Sequence, residues 1–291
     1  MLLDKVKRSI TYRFNYQVSP VLSQVMSGMN RGKLGHGPRL TDAQPLLDLG
    51  ISVEQVSFDI EDCWNFWHSL CPKSQQLEQL VNSESFWQKL PQYYFTWKSL
   101  QAILENPQSV YIDIASTVNS PYQQIISLLA KTTNIYTQDL VFPPGINDRQ
   151  IGGSAAELPL PEASVDAMTL HCAFEHFEGD ADTGFVREAG RVLRPGGRVC
   201  IVPLYLGEYA FVLCDPVWAF NLCVDSDTVI HFLPRWGERH GRFYDPETLL
   251  QRIVEPSTAA GLIVRVIHFT NITELDPDCY THFGLILEKP L

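Results

Sequence analysis

Residues 151–204 read IGGSAAELPLPEASVDAMTLHCAFEHFEGDADTGFVREAGRVLRPGGRVCIVPL, and this stretch decides the fold. It opens with a tight loop, GGSAAELPLP, and passes through ASVDAMTL, which predicts a strand entered at Asp166. HCAFEHF then lies just past the strand end. REAGRVL has the spacing of an amphipathic helix, and Pro195-Gly196-Gly197 stops it, because proline cannot continue a helix and glycine takes the left-handed cap conformation. Arg198–Leu204 follows directly as another strand. The order strand, loop, helix, strand is the unit from which parallel sheets are built.

The same alternation extends upstream and downstream. Val110–Ile114 and Ile135–Asp139 predict strands around a helix at Gln123–Ala130, and Ala167–Leu170 and Val199–Leu204 continue the series. Short apolar runs at this interval predict an α/β fold, a mostly parallel sheet with helices on both faces. Ligands of such sheets bind at the carboxyl ends of the strands, near the point where strand order reverses. The tail predicts a helix at Pro246–Ile253 and two closely spaced strands, Leu262–Phe269 and Phe283–Leu287, paired antiparallel at an edge. Upstream, residues 28–45 are rich in Gly and Pro and read as a loop. Residues 52–104 read as helices broken near Pro72 and Pro91, with a start at Ser52-Val-Glu-Gln. They are dense in aromatics: Trp64, Phe66, Trp67, Phe86, Trp87, Tyr93, Tyr94, Phe95 and Trp97. These pack a helical cap, and some line a pocket if the cap is a lid.

The chain resembles the class I S-adenosylmethionine-dependent methyltransferases over about residues 108–205. The resemblance rests on the order of GGSAAELPLPEASVD, a strand, the EH of Glu175-His176, and REAGRVLRPGGRVCIV. It implies a doubly wound, seven-stranded, mostly parallel Rossmann-like sheet, with residues 1–104 as a helical cap and 105–291 as the methyltransferase domain. It implies S-adenosylmethionine as cofactor. In that family the first strand ends in D-x-G-x-G-x-G, whose glycines let the backbone approach the cofactor. Here Asp113 is present, with Ala115, Thr117 and Asn119 at the glycine positions. Asn tolerates positive φ, whereas β-branched Thr resists it, so this loop is expected to follow its own path. Asp139 stands 26 positions after Asp113, where the family's acidic residue binds both ribose hydroxyls, and Leu140 would lie against the adenine. Ser154, followed by Ala155, replaces the family's Asp near the adenine amino group; a hydroxyl accepts that bond without charge assistance. His171 and Glu175 are the candidate catalytic residues. A neutral imidazole takes a proton from a hydroxyl or amine, and a strand-end His equally often just bonds a carbonyl. Glu175 and His176 also suit a surface cap at the start of a helix.

Composition narrows the function. The formal net charge is −11 with no Lys/Arg run, which argues against nucleic acid as the main partner. The charged start, MLLDKVKRSITYRF, lacks the apolar core of a signal peptide, and no stretch is apolar enough to span a bilayer. Seven scattered cysteines (63, 71, 172, 200, 214, 223 and 279) read as reduced thiols, which points to the cytoplasm. His171, Glu175 and His176 miss the H-x-x-E-H zinc pattern by one residue, and Cys63, His68 and Cys71 lack an evident fourth ligand, so no metal is expected. Residues 207–241 form a long excursion carrying Trp218, His231, Arg235, Trp236 and His240, with Tyr205 and Tyr209 at its upstream end; it shapes an acceptor pocket or packs as a loop. Two functions fit: methyl transfer to an oxygen, less readily a nitrogen, of a small molecule or glycan, or a catalytically silent binding module on the same fold. A dinucleotide enzyme is disfavoured by the missing G-x-G-x-x-G.

Overall fold

The strands read from the sequence form one nine-stranded sheet in the computed structural model, which describes residues 18–29, 31–81, 83, 86–219, 222–233 and 239–291. The chain divides into a larger unit (42–174, 181–204 and 249–291) and a smaller one built from the segments up to 41, 175–180 and 205–248. Arg235, Trp236 and the charged start of the chain lie outside the described residues.

The strands in chain order are β1 (Lys33–Leu34), β2 (Val53–Val56), β3 (Val110–Ile114), β4 (Asn134–Asp139), β5 (Gly145–Asn147), β6 (Gln150–Gly152), β7 (Val165–His171), β8 (Leu193–Val202), β9 (Phe211–Cys214), β10 (Val229–Phe232), β11 (Gly241–Phe243), β12 (Ile263–Phe269) and β13 (Phe283–Glu288). The helices used below are α1 (Ser19–Gly28), α2 (Gln44–Asp48), α3 (Ile60–Leu70), α4 (Gln75–Val81), α5 (Phe86–Leu104), α6 (Pro121–Leu129) and α7 (Ala181–Val192).

The larger unit's sheet has the order β2-β12-β13-β8-β7-β3-β4-β6-β5. Its centre, β8-β7-β3-β4-β6, is parallel, and β13 runs antiparallel to both β8 and β12. The sheet has nine strands where seven were expected: β3, β4, β7, β8, β12 and β13 are the strands read from the sequence, and β2, β5 and β6 add to them. β2 replaces the helix expected from Ser52: Val53 and Val56 suit a pleated strand, and residues 53–56 pair in parallel with Val266–Phe269. The helix break expected near Pro72 is present, where α3 ends in a short 3₁₀ turn, Cys71–Lys73. At Pro91 the expectation fails, for α5 runs through it for 19 residues. One missing N–H is tolerated there because α5 is clamped by its burial, with Phe86, Leu90, Pro91, Leu100 and Leu104 all in the core. Trp67, Phe86 and Tyr93 pack together in that core, with ring centroids 5.2 Å and 6.5 Å from Trp67.

Strand order reverses between β3 and β7, since the chain goes from β3 outward to β4 and β6 and later returns through β7 to β8. This places the carboxyl ends of β3, β4 and β7, at Ile114, Asp139 and His171, along one edge at the switch point. The charged residues of the deciding stretch hold the loop beside it. Glu188 on α7 accepts from the Leu158 N–H at 2.7 Å, and Arg191 donates to the Leu160 and Leu158 carbonyls at 2.8 and 3.1 Å. α7 approaches that loop closely: a Cβ at Gly184 would stand 2.7 Å from the Ala156 Cβ.

The smaller unit has its own four-stranded sheet, β1-β10-β9-β11. The excursion 207–241 therefore contributes strands. Phe211 and Phe243 stack at 4.3 Å in this sheet's core. No helix among the described residues is long and apolar enough to cross a membrane, and they hold no cluster of three potential metal-binding side chains.

Candidate functional site

β3 delivers Asp113 to the strand end with its carboxylate 2% exposed. Three hydroxyls surround it. Thr169 donates to Oδ1 at 3.0 Å, Ser120 donates to Oδ2 at 2.8 Å, and Ser116 bonds it as well. Burial pushes its carboxyl upward from the ordinary value, and the three hydroxyls oppose that push. Asp113 thus fastens the loop to β7 and to Ser120, the N-cap of α6.

The glycine-poor loop finds two left-handed positions without glycine. Ala115 has φ 49° and Asn119 φ 60°, while Thr117 keeps a negative φ. The chain takes its left-handed positions on either side of the β-branched Thr117. Ala115 bears a cost of about 1–2 kcal/mol for its Cβ in that region. Its N–H is held by a side chain the sequence reading missed: Gln138 Oε1 accepts from Ala115 at 3.2 Å, and Gln138 Nε2 donates to the Gly153 carbonyl at 2.6 Å. The Gln138 carbonyl also accepts from the Ser116 N–H at 3.1 Å. Gln138 is 1% exposed and ties the loop after β3 to the loop after β6.

Asp139 ends β4, half-buried. Its Oδ1 accepts from the Val141 N–H at 2.9 Å, and no described residue bonds Oδ2. Leu140 beside it is 74% exposed, an apolar face without a covering partner. The Asp139 carbonyl accepts from Gly153, whose φ of 124° and lack of neighbours around a would-be Cβ leave open space. Ser154 is exposed and accepts from the Ala156 N–H, and Ala155 is buried. An unused carboxylate oxygen, an exposed apolar side chain and an open glycine meet here, and these fit a ribose and a flat base.

β7 ends at His171, whose ring lies between two tyrosines, 4.3 Å from Tyr122 and 5.1 Å from Tyr93. Its protonation follows from a chain of donors. Thr96 gives its hydroxyl hydrogen to the Gln92 carbonyl at 2.8 Å, so it can only accept from His171 Nε2, 3.1 Å away. His171 is then the Nε2–H tautomer, and its Nδ1 lone pair is bare, buried and without a partner among the described residues. Burial first, and the Lys89 charge second, hold the imidazole well below its ordinary pKa, so it is neutral. Both tyrosines are neutral as well, burial raising their phenols.

Cys172 follows with φ 49°, and its Sγ lies 2.8 Å from Lys89 Nζ, 3.6 Å from Gln92 Oε1 and 3.7 Å from Tyr280 Oη. Lys89, Gln92, Tyr93 and Thr96 recur at i, i+3, i+4 and i+7, so α5 turns one face to the end of β7. That spacing was visible in QKLPQYYFT, though its target was not.

Glu175 and His176 sit in the smaller unit, in a 3₁₀ turn, Phe174–His176, ahead of α7. The Glu175 carbonyl accepts from His240 Nδ1 at 3.0 Å, and His176 Nδ1 donates to the His240 carbonyl. Burial and the nearby Arg242 lower His240 to about 4.

Residues 133–201, which hold β4 through most of β8, match the family model for a methyltransferase domain. That stretch is similar to a methyltransferase domain. A stretch of 45 residues is 53% identical to a probable S-adenosylmethionine-dependent methyltransferase of Mycolicibacterium smegmatis, covering 16% of this chain and 17% of that relative. Among solved structures, the Burkholderia thailandensis 1,6-didemethyltoxoflavin-N1-methyltransferase, solved with 1,6-didemethyltoxoflavin and S-adenosylhomocysteine, is 14% identical. The alignment covers 88% of this chain and 100% of that one at a TM-score of 0.45. An S-adenosylmethionine-dependent methyltransferase of Mesorhizobium loti is 15% identical over 66% of this chain and 97% of that one, with a TM-score of 0.43.

Proposed function

We propose that this protein transfers the methyl group of S-adenosylmethionine to an oxygen, less readily a nitrogen, of a small molecule or glycan. The carrying observation is Asp139, whose Oδ2 lacks a partner beside the exposed Leu140 and the open Gly153. A carboxylate accepts from two adjacent hydroxyls at once, which suits a ribose. Leu140 and Ala155 would flank the base, with Ser154 accepting from its amino group. Ala115 and Thr117 would meet the amino-acid end, on a loop held by Asp113. S-adenosylmethionine supplies a methyl group activated by its sulfonium. His171 offers the acceptor a hydrogen-bonding lone pair, and α5, as the cap's last helix, walls the site with Tyr93 and helps exclude water. Glu175 would assist as a second catalytic residue. We place the protein in the cytoplasm on its reduced thiols.

Calorimetric titration with S-adenosylhomocysteine tests the reading. The wild type should bind, and Asp139→Ala should lose roughly 1–3 kcal/mol, about 5- to 150-fold in Kd, from hydroxyls left unpaired. No binding at millimolar ligand would leave only the silent binding module.

A further inference from the structure

The acceptor side of the site holds a cation without a counter-ion. Lys89 Nζ touches Cys172 Sγ at 2.8 Å and Gln92 Oε1 at 3.3 Å, and no carboxylate among the described residues pairs with it. In a chain with 33 acidic and 22 basic residues, a half-buried lysine left with only a thiol and an amide is unusual. The arginines near the sheet are matched: Arg198 and Arg265 share Glu288, Arg194 takes Asp166, and Arg252 takes Asp182, while Lys289 donates to the Gly190 and Ala260 carbonyls.

The side chains around Lys89 are held in place for recognition. Gln92 is fully buried, and its Nε2 donates to Thr281 Oγ1 at 3.0 Å, which fixes its carbonyl oxygen toward the ammonium. One residue before Cys172, the bare Nδ1 of His171 belongs to the same strand end. Among the described residues, strong proton acceptors are missing there. Asp113 is enclosed by hydroxyls, Tyr93 and Tyr122 keep their protons, and His171 is too weakly basic to deprotonate an alcohol.

We infer that the methyl acceptor is a carboxylic acid, with its carboxylate bound against the Lys89 ammonium beside His171 and Cys172. This rests on the methyltransferase reading and names its substrate class. An ionised carboxylate brings its own nucleophilic oxygen and needs no base. As its lone pair forms the new O–C bond, the S–C bond breaks with its electron pair staying on sulfur. The products are an ester and a thioether, no proton is released, and the two formal charges cancel. The His171 lone pair then serves a hydroxyl or N–H elsewhere on the acid and orients it.

Cys172 makes the site report on itself. Iodoacetate carries a carboxylate and iodoacetamide is its neutral counterpart, and both alkylate thiols. Rates at each cysteine are read by peptide mass spectrometry. The ratio of the two rates at one cysteine is independent of how much thiolate is present, so it isolates recognition of the reagent's charge. In the wild type, the iodoacetate-to-iodoacetamide ratio at Cys172 should exceed that of Lys89→Met by at least ~tenfold, the worth of one charge-assisted hydrogen bond. Lys89→Arg should retain most of the preference, the ratio at the exposed Cys223 should be the same in all three proteins as a control on the reagents, and superimposable thermal melts should show that they are folded alike. Equal ratios at Cys172 in wild type and Lys89→Met overturn the inference. So does failure of either reagent to reach Cys172, because a site closed to them is closed to an acid. S-adenosylhomocysteine titration of the same samples is a separate readout: if it fails while the reagent preference persists, the methyltransferase reading falls and the acid site stands.

Discussion

Replacing Gln138 with leucine removes a side chain that joins the loops after β3 and β6. The size of the site barely changes, so no appreciable cavity adds to the effect. Two hydrogen bonds go, from the Ala115 N–H at 3.2 Å and to the Gly153 carbonyl at 2.6 Å, whereas the main-chain bond from Ser116 to residue 138 remains. A net bond is worth about 1 kcal/mol, rising to about 3 when the abandoned group stays dry. Ala115 and Gly153 are half-buried and reach some water, so the lower end applies and the loss should total about 2 kcal/mol. Urea denaturation reads that loss as a lower midpoint at unchanged slope. The same loops flank Asp139, and untying them adds an ordering cost to ligand binding, so the Kd for S-adenosylhomocysteine should rise about tenfold. Gln138→Glu sharpens the result. It still accepts from Ala115, but it faces the Gly153 carbonyl without a donor and buries a charge, so it should be less stable than the leucine variant at pH 7. A leucine variant within about 0.5 kcal/mol of wild type, with unchanged affinity, would show that the backbone alone shapes this cleft.

Three further outcomes follow. Gly152→Ala should fail to fold or lose several kcal/mol, about 3 or more, by thermal denaturation, because its Cβ would stand 1.9 Å from the Pro143 carbonyl oxygen. Burial and the Arg242 charge, opposed in part by Glu178, lower His240 from 6.5 to about 4, so the unfolded chain takes up a proton there that the folded one refuses. Its contribution is therefore complete above pH 6.5 and falls between pH 6.5 and 4, by roughly 3 kcal/mol, and His240→Gln should show that much less acid sensitivity in urea melts. His171→Phe keeps the ring against Tyr93 and Tyr122 but removes both nitrogens; cofactor affinity should stay within about twofold while turnover with a carboxylic acid acceptor falls, and unchanged turnover would take His171 out of the acceptor site.

The parallel core was legible because its signals are local. Four buried residues in a row at Tyr111–Ile114 and the Pro-Gly-Gly stretch after α7 each speak through their neighbours alone. Ser52–Val56 misled because S-V-E-Q satisfies a helix cap locally, and only β12, more than 200 residues later, turns it into a strand. The site was half legible. Asp139 and His171 were candidates from their places after strands, and both end strands in the fold. Gln138 and Lys89 were not, since their roles depend on contacts 23 and 83 positions away. Helical spacing on α5 gave the face, and only the fold gave what it faces.

The two units are threaded through one another along the chain, and this governs how the protein can be made. β1 pairs with β10, so a strand at Lys33–Leu34 must wait for Val229–Phe232 before it has a neighbour. The larger sheet waits longer, because β13 at Phe283–Glu288 is the strand that joins β12 to β8. The smaller unit has all its segments once residue 248 is made, whereas the larger one still awaits residues 249–291, β12 and β13 among them. The parallel centre, β3 through β8, is contiguous enough to form earlier and would expose the β8 edge in the interval. Assembly should therefore run from the middle outward. A stop codon between Ala259 and Phe283 should produce a soluble-looking nucleus with an open edge and a tendency to aggregate, even though every residue of the candidate cofactor cleft has already been translated.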